Sequence, residues 1–423
     1  MRYLTWLLVG LSFYVAPYAN ATEFTMVNLP TNDIVYDHVT DTIYASVPST
    51  AGAVRGNTIT PINPHTGALG TSVFVTSEPS ILALADDGSR VYVASQSTNL
   101  VTPFALSTMT PGTAFPIGSG DRRVKDMEVA PGNPGALAVS KSVGGSSRGI
   151  SVFLNGTLLP ESLNDVAIND VIEFGDTAET LYGHANSFSE LDFNKFRIDL
   201  SPTGGIINEG FHVKHLLSGS GSDMEYQNGR MYFTNGQVLE TATPGPVGSF
   251  SASGPVQPDM ATGRTFFVSG NNLKSFNQMT FVPLGTVPVP GMTGSAKNLI
   301  SLGANSLAFA TTSGKVYIAR GNLVTAATGD FDEDNDVDGS DFLAWQRGLG
   351  VATAASRGQG DGNGDGDVDG NDLTTWRQQF GAVTGASPTL VAIPEPSSSA
   401  VALVAAACMA MRSRGARRAL RLR

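Results

Sequence analysis

From Thr22 to about Leu323 the apolar residues come in short runs broken by Gly, Pro, Asn and Asp. No stretch keeps a helical period, so the pattern predicts strands joined by tight turns. Stacking the runs exposes a loose repeat of an apolar strand, a polar turn often with Gly, and a second strand with a central aromatic. The pairs are Ile34–Tyr36 with Ile43–Ala45, Ile81–Leu84 with Val91–Val93, and Met127–Val129 with Ala136–Val139. They continue as Val171–Phe174 with Leu181 and Tyr182, Met224–Tyr226 with Met231–Phe233, Asp259 and Met260 with Thr265–Phe267, and Leu299–Leu302 with Leu307–Phe309.

Seven such units, at spacings such as the 48 residues from Tyr44 to Tyr92, match the roughly 40 to 50 residues that a four-stranded blade takes. Third and fourth strands are visible at Asn57–Asn63 and Thr71–Thr76, and again at Asn99–Ala105 and Thr113–Ile117. The seventh unit lacks its last strand, and Glu23–Leu29 is a spare strand at the other end. A ring closed by that borrowed strand is a seven-bladed β-propeller; the alternatives are a two-sheet sandwich and a β-solenoid. The stretch from Ala85 to Ser95, with Asp86-Asp87-Gly88 before Val91-Tyr92-Val93, resembles the YVTN-type propeller repeat.

A different pattern occupies Gly329 to Gly381. One twelve-residue loop carries oxygen side chains at Asp330, Asp332, Asp334, Asp336, Asp338 and Asp341; a second carries them at Asp361, Asn363, Asp365, Asp367, Asp369 and Asp372. Positions 1, 3, 5, 9 and 12 supply side-chain oxygens and position 7 a backbone carbonyl, the spacing that surrounds a hard cation with roughly six to eight oxygens. Asn335 and Gly366 stand at position 6, where the backbone turns sharply. After each loop the apolar residues fall at i, i+3, i+7: Phe342, Trp345, Leu349, then Leu373, Trp376, Phe380. Each predicts a short helix with one apolar stripe, packed on the other. Position 12 is Asp and no amphipathic helix precedes either loop, so the duplicated unit resembles the type I dockerin module. The resemblance implies two bound Ca2+ ions and a cohesin-like protein partner, contacted through positions 10 and 11, here Gly339-Ser340 and Gly370-Asn371.

Charge sharpens this picture. The net charge is −11, and residues 329–381 hold twelve acids against three arginines. Subtracting the six arginines of 412–423 and Arg2 takes the −11 to −18. A chain that acidic is no nucleic-acid binder. Its single cysteine, Cys408, excludes an internal disulfide framework. Residues 1–21 have the form of a secretory signal, with Arg2, an apolar run and Ala19-Asn20-Ala21. At the other end Pro394-Glu395-Pro396, an apolar run from Ser399 to Met411 and the arginines resemble the PEP-CTERM sorting signal. That resemblance implies an exosortase-type processing enzyme, transient membrane contact through the tail, and export to the surface or matrix of a Gram-negative-type envelope. A retained C-terminal anchor is the alternative.

The expected organisation is therefore a signal at 1–21, a propeller at 22–323, a calcium-binding loop–helix domain at 324–381, a linker at 382–392 and a tail at 393–423. Asp33, Asp126, Asp170, Asp223 and Asp259 each open or closely precede a first strand. They predict either an acidic ring at the channel mouth, suited to a cation or a glycan, or a set of turns in which each Asp accepts backbone N–H groups. The histidines are scattered; His212 and His215, at i and i+3 of a strand, would point to opposite faces. No catalytic motif stands out. The function expected is non-catalytic binding or adhesion, with a polysaccharide hydrolase or lyase as the alternative, whose signature would be an isolated carboxylate pair in an aromatic-walled channel.

Overall fold

Glu23–Asn28 pairs antiparallel with Lys315–Arg320 over six residues, Glu23 opposite Arg320 and Asn28 opposite Lys315. The computed structural model that shows this pairing describes residues 22–381, less 165–169, 185–191, 209–211, 214–221, 324–328, 353–354, 363–366 and positions 261, 304, 322, 333 and 335. The signal, linker and tail expected at 1–21, 382–392 and 393–423 lie outside the described residues.

The strands form seven antiparallel sheets, six of them consecutive in sequence and the seventh completed by Glu23–Asn28. The molecule is a seven-bladed β-propeller. Its inner strands are Asp33–Asp37, Pro79–Leu84, Arg123–Val129, Val171–Phe174, Met224–Gln227, Val256–Asp259 and Ile300–Ser301, for blades 1 to 7. Neighbouring inner strands touch around the ring, and that of blade 7 touches that of blade 1.

Each second strand is covered on both faces, because a blade has a neighbour on either side. This is why these strands read as continuous apolar runs and not as alternations. Ile43, Tyr44 and Ala45 are all buried, and so are Val91 through Ala94. Alternate side chains go to opposite neighbours. Tyr44 packs with Val91, Val93 and Phe104 of blade 2. Ile43 and Ala45 pack with Ala308, Val316 and Ile318 of blade 7 and with Val27 and Leu29, which the closing strand and its exit supply. Seven such clusters, one per blade interface, replace a single central core.

One expected strand is misplaced. The inner strand of blade 6 is Val256–Asp259 and not a strand opening at Asp259, so Asp259 ends it. Pro255 and Pro258 flank and interrupt the apolar run there, which hid the strand from the pattern.

The acidic C-terminal unit has a cluster of its own, with Phe331, Trp345, Ala355 and Val368 buried against Phe342, Leu373 and Trp376. Its helices are α1, Gly339–Gly348, and α2, Gly370–Gln379. They form only two stripes' worth of contact. Phe342 meets Trp376 with ring centroids 5.0 Å apart, but Leu349 and Phe380, expected at the ends of the stripes, are exposed. Gly348 and Gly360 let the turn at Arg357–Gly360 lie close against α1: a Cβ on Gly348 would run into Gln359 O, and one on Gly360 into Trp345 Cα, with Gly360 also at φ +103.

Candidate functional site

The two loops of the C-terminal unit are built alike. In the first, Asp341 is fully buried and accepts hydrogen bonds from Phe331 N (2.5 Å) and Asp332 N (3.2 Å) on Oδ1 and from Asp338 N (2.8 Å) on Oδ2. In the second, Asp372, also fully buried, accepts from Gly362 N (2.9 Å) and Asp369 N (2.7 Å). Position 12 thus ties each loop's start and end to the first turn of its helix, where the positive end of the helix dipole favours a carboxylate. The loops also exchange bonds across a pseudo-twofold axis. Trp345 Nε1 donates to Asp369 O at 2.8 Å, and Trp376 Nε1 donates to Asp338 O at 2.8 Å. Val337 and Val368, at position 8 of the two loops, are both buried.

Carboxylate oxygens gather in three groups, each within 4.8 Å: Asp330, Asp332 and Asp334; Asp336, Asp338 and Asp341; and Asp367, Asp369 and Asp372. Asp336 Oδ1 is buried and has no hydrogen-bond partner among the described residues. Partial desolvation, and then the charge of Asp341, raise Asp332 above the usual carboxylate range. Asp336 is raised in the same way, by desolvation and then by Asp334, Asp338 and Asp341. Carboxylate oxygens gathered this closely suit a divalent cation, and the residues present fit calcium, which takes oxygen donors. Asp361 is buried at the head of the second loop; Asn363 and Asp365 lie outside the described residues.

The second acidic region is the propeller channel, a cavity of about 280 Å³ at the ring centre. Three of the five anticipated aspartates reach it: Asp33, Asp126 and Asp223, on blades 1, 3 and 5. Each caps backbone. Asp33 accepts from its own Ile34 N (2.8 Å), from Asn298 Nδ2 (2.7 Å) and, across the blade boundary, from Leu82 N (2.9 Å). Asp126 accepts from Met127 N (2.8 Å) and, on blade 4, from Ile172 N (2.8 Å). Asp223 accepts from Met224 N at 3.0 Å. The ring and the turn readings are therefore both realised, in the same side chains, and the turn bonds tie a blade to its successor.

Asp170 and Asp259 do not join them. Val171 pairs with His184 and Glu173 with Tyr182, whereas Val35 pairs with Tyr44. Counted from the tyrosine, Asp33 stands two residues before its partner and Asp170 three, and a one-residue slip turns a strand side chain to the other face. Asp170 is buried off the channel, its N–H donating to His184 O. Asp259, at the far end of its strand, accepts from Thr262 Oγ1 at 2.9 Å.

The channel holds three acids that the sequence pattern did not single out, Glu128, Glu173 and Glu225. The signal was present in Asp126-x-Glu128 and Asp223-x-Glu225, since acids two apart on one strand share a face. Burial, and then repulsion from Asp223, push Asp126 and Glu225 up to about 8. Burial raises Asp33 to about 6, held back by its backbone donors and Asn298. Asp223 is raised too, although it is open to channel water, because the wall around it withdraws bulk solvent. Lys297 is the one cation in the lining, and burial lowers it. No aromatic side chain lines the cavity among the described residues.

The histidines assemble no site among the described residues. His65 pairs with Asp41 at 2.6 Å on the surface, His184 is buried, and the His212 side chain and His215 are not described. No described helix is long and apolar enough to cross a membrane.

No protein-family model matches the chain, and no curated protein sequence does. Solved structures do match in shape. The β-propeller domain of Cps50 (Swd1) from Myceliophteria thermophila superposes with a TM-score of 0.55 at 11% identity, over 70% of this chain and 99% of that one. Kuenenia stuttgartiensis hydrazine synthase gives 0.54 at 14% identity, over 70% and 97%. U3-55K gives 0.53 at 12% identity, over 70% and 98%. At these identities the likeness is one of fold: about 70% of this chain has the backbone of a β-propeller.

Proposed function

We propose that the chain is an exported surface or matrix protein whose propeller binds a ligand without transforming it, and whose C-terminal unit is a dockerin-like assembly module holding two Ca2+ ions. The observation that carries this reading is the gathering of carboxylate oxygens within 4.8 Å in both loops, with Asp336 Oδ1 of the first loop buried and unbonded among the described residues. Asp330, Asp332, Asp334, Asp338 and Asp341 would hold one ion, with the backbone carbonyl of Asp336. Asp361, Asn363, Asp365, Asp369 and Asp372, with the carbonyl of Asp367, would hold the other. Calcium supplies charge neutralisation there; the loops themselves order α1 and α2 through Asp341 and Asp372. The surface for a cohesin-like partner is the groove beside α1 lined by Ser340, Leu343, Ala344 and Arg347, where Leu343 is exposed.

The binding reading of the propeller is favoured over a hydrolase or lyase by the channel itself. Among the described residues its acids are six and mostly alike, not an isolated pair, and none of its lining side chains is an aromatic platform for a sugar ring. Fold alone decides nothing on this point. The test is reducing-sugar release from plant and algal polysaccharides by residues 22–381 with calcium present, and none is expected. Turnover that vanishes when a channel Asp or Glu is changed to Ala, with the fold intact, would overturn the reading. Export and tail removal are tested separately by mass spectrometry of the protein from its own host. A chain starting near Thr22 and ending near Pro396 is expected, and a surface chain still carrying Arg423 would mean a retained anchor.

A further inference from the structure

Three consecutive inner strands bring Glu128, Glu173 and Glu225 into the channel, next to Asp33, Asp126 and Asp223. The lining opposite them is nearly uncharged. Blade 2 contributes Ile81 through Leu84, blade 6 Pro255 and Val256, and blade 7 Asn298 through Ile300, with Thr234 from the second part of blade 5. Among the described residues Lys297 is the single basic group of the lining, and its ammonium is engaged by Thr31 O at 2.5 Å. Among the described residues the three glutamates receive one hydrogen bond, a long one from Tyr226 N to Glu173 Oε1 at 3.5 Å. The aspartates differ, each being bonded to backbone. Among the described residues, six carboxylates with one cation in about 280 Å³ leave a charge imbalance that the wall does not neutralise.

We propose that the channel face of blades 3 to 5 is a proton-operated clamp: with protons on the Glu128, Glu173 and Glu225 group the three inner strands hold together, and their release loosens that arc of the ring by carboxylate repulsion. The clamp belongs to the propeller and does not depend on calcium. Burial is the largest cause that raises Glu128, followed by Asp126, Glu225 and Asp223. Glu173 is raised by burial and then by Glu128 and Glu225, so the glutamates act on one another across blade boundaries.

The sign follows from proton linkage. These groups titrate higher in the folded chain than in the unfolded one, so the folded state binds the extra protons. Their contribution is complete below the unfolded carboxylate range, near pH 4, and is lost as pH rises through the folded values, about 8 for Asp126 and Glu225. Stability of the propeller should therefore fall between mildly acidic and mildly basic pH.

The experiment is thermal unfolding of the full-length chain from about pH 5 to about pH 8 without divalent cations, for the wild type and for Glu128→Gln/Glu173→Gln/Glu225→Gln. The wild-type propeller transition should drop by about 5 °C or more across that range. The triple variant should show less than about half of that slope, since Gln keeps the shape and removes the titration. Any pH dependence of the C-terminal unit is common to both chains and cancels in the difference. Should the variant not fold, hydrogen exchange on the wild type replaces it, corrected for intrinsic rates. Opening of amides 127–129, 172–174 and 224–226 should then rise about tenfold or more between the two ends of the range. Parallel slopes in the two chains, or exchange protection that does not change with pH where only the wild type folds, would overturn the clamp.

Discussion

The molecule places carboxylates in two ways. In the C-terminal unit, they are gathered by twelve-residue loops within 4.8 Å of one another, and position 12 is locked by its own loop. In the channel they come from separate blades, as far apart in sequence as Asp33 and Glu225, and each aspartate is already spoken for by backbone N–H groups. The first arrangement is the one proposed to take a cation. The second fixes blades and leaves its surplus charge to be settled by protons. Local spacing makes the one; closure of a ring makes the other.

The sharpest way to separate the two regions is to remove what closes the ring. A chain starting at Pro30 lacks Glu23–Asn28 and the buried Val27 and Leu29. Burial of those two side chains alone is worth roughly 3–6 kcal/mol, and six backbone pairings go with it. The propeller transition should broaden or drop by about 10 °C or more, while calcium uptake by the C-terminal unit stays unchanged. Calorimetry on the same sample reads both, and loss of both together would merge the two regions into one cooperative body.

Next in size is the reverse cut. Asp341→Ala leaves the N–H groups of Phe331, Asp332 and Asp338 without their acceptor. It should cost the first loop about 2–5 kcal/mol and one calcium ion. Asp372→Ala should do the same to the second loop, with the propeller melting as before. Far-ultraviolet dichroism and titration calorimetry would follow the loss, and two ions still bound in either variant would contradict the assignment of position 12.

Within the propeller, Asp33→Ala removes the acceptor shared by Ile34, Leu82 and Asn298. A loss of about 2–3 kcal/mol is expected, against about 1 kcal/mol for Asp223→Ala, whose carboxylate accepts from Met224 N of its own strand. Denaturant melts would measure the pair, and equal losses would mean that the bond from Leu82 N across the blade boundary adds nothing. The smallest effect tests the pseudo-twofold axis. Trp345→Phe and Trp376→Phe each delete one indole bond to the opposite loop, and each should cost about 1 kcal/mol. Losses that differ severalfold would mean that the loops are alike in sequence only.

Much of this was open to inspection in the sequence, for reasons that differ by region. The blades showed because a strand sandwiched between neighbours needs apolar residues on both faces, as in Val91–Ala94, and because turns such as Asp86-Asp87-Gly88 are local. The closing strand showed as a surplus at one end matched by a deficit at the other. The loops showed because their chemistry is written in one short spacing. The channel was only half visible. Asp170 and Asp259 have the residue type but not the register, and register is decided by the tyrosine pairing of a neighbouring strand. Glu128, Glu173 and Glu225 meet only after blades 3, 4 and 5 are set side by side, which no spacing along the chain records.

The most direct measurement is calcium titration of the full-length chain at neutral pH, in parallel with its Asp341→Ala/Asp372→Ala double variant. Two ions should bind to the wild type and none to the double variant, because the gathered loop carboxylates take the cation, whereas the channel aspartates are engaged by backbone N–H groups and the channel glutamates hold protons. No binding at millimolar calcium, or ions that persist in the double variant, would contradict the account.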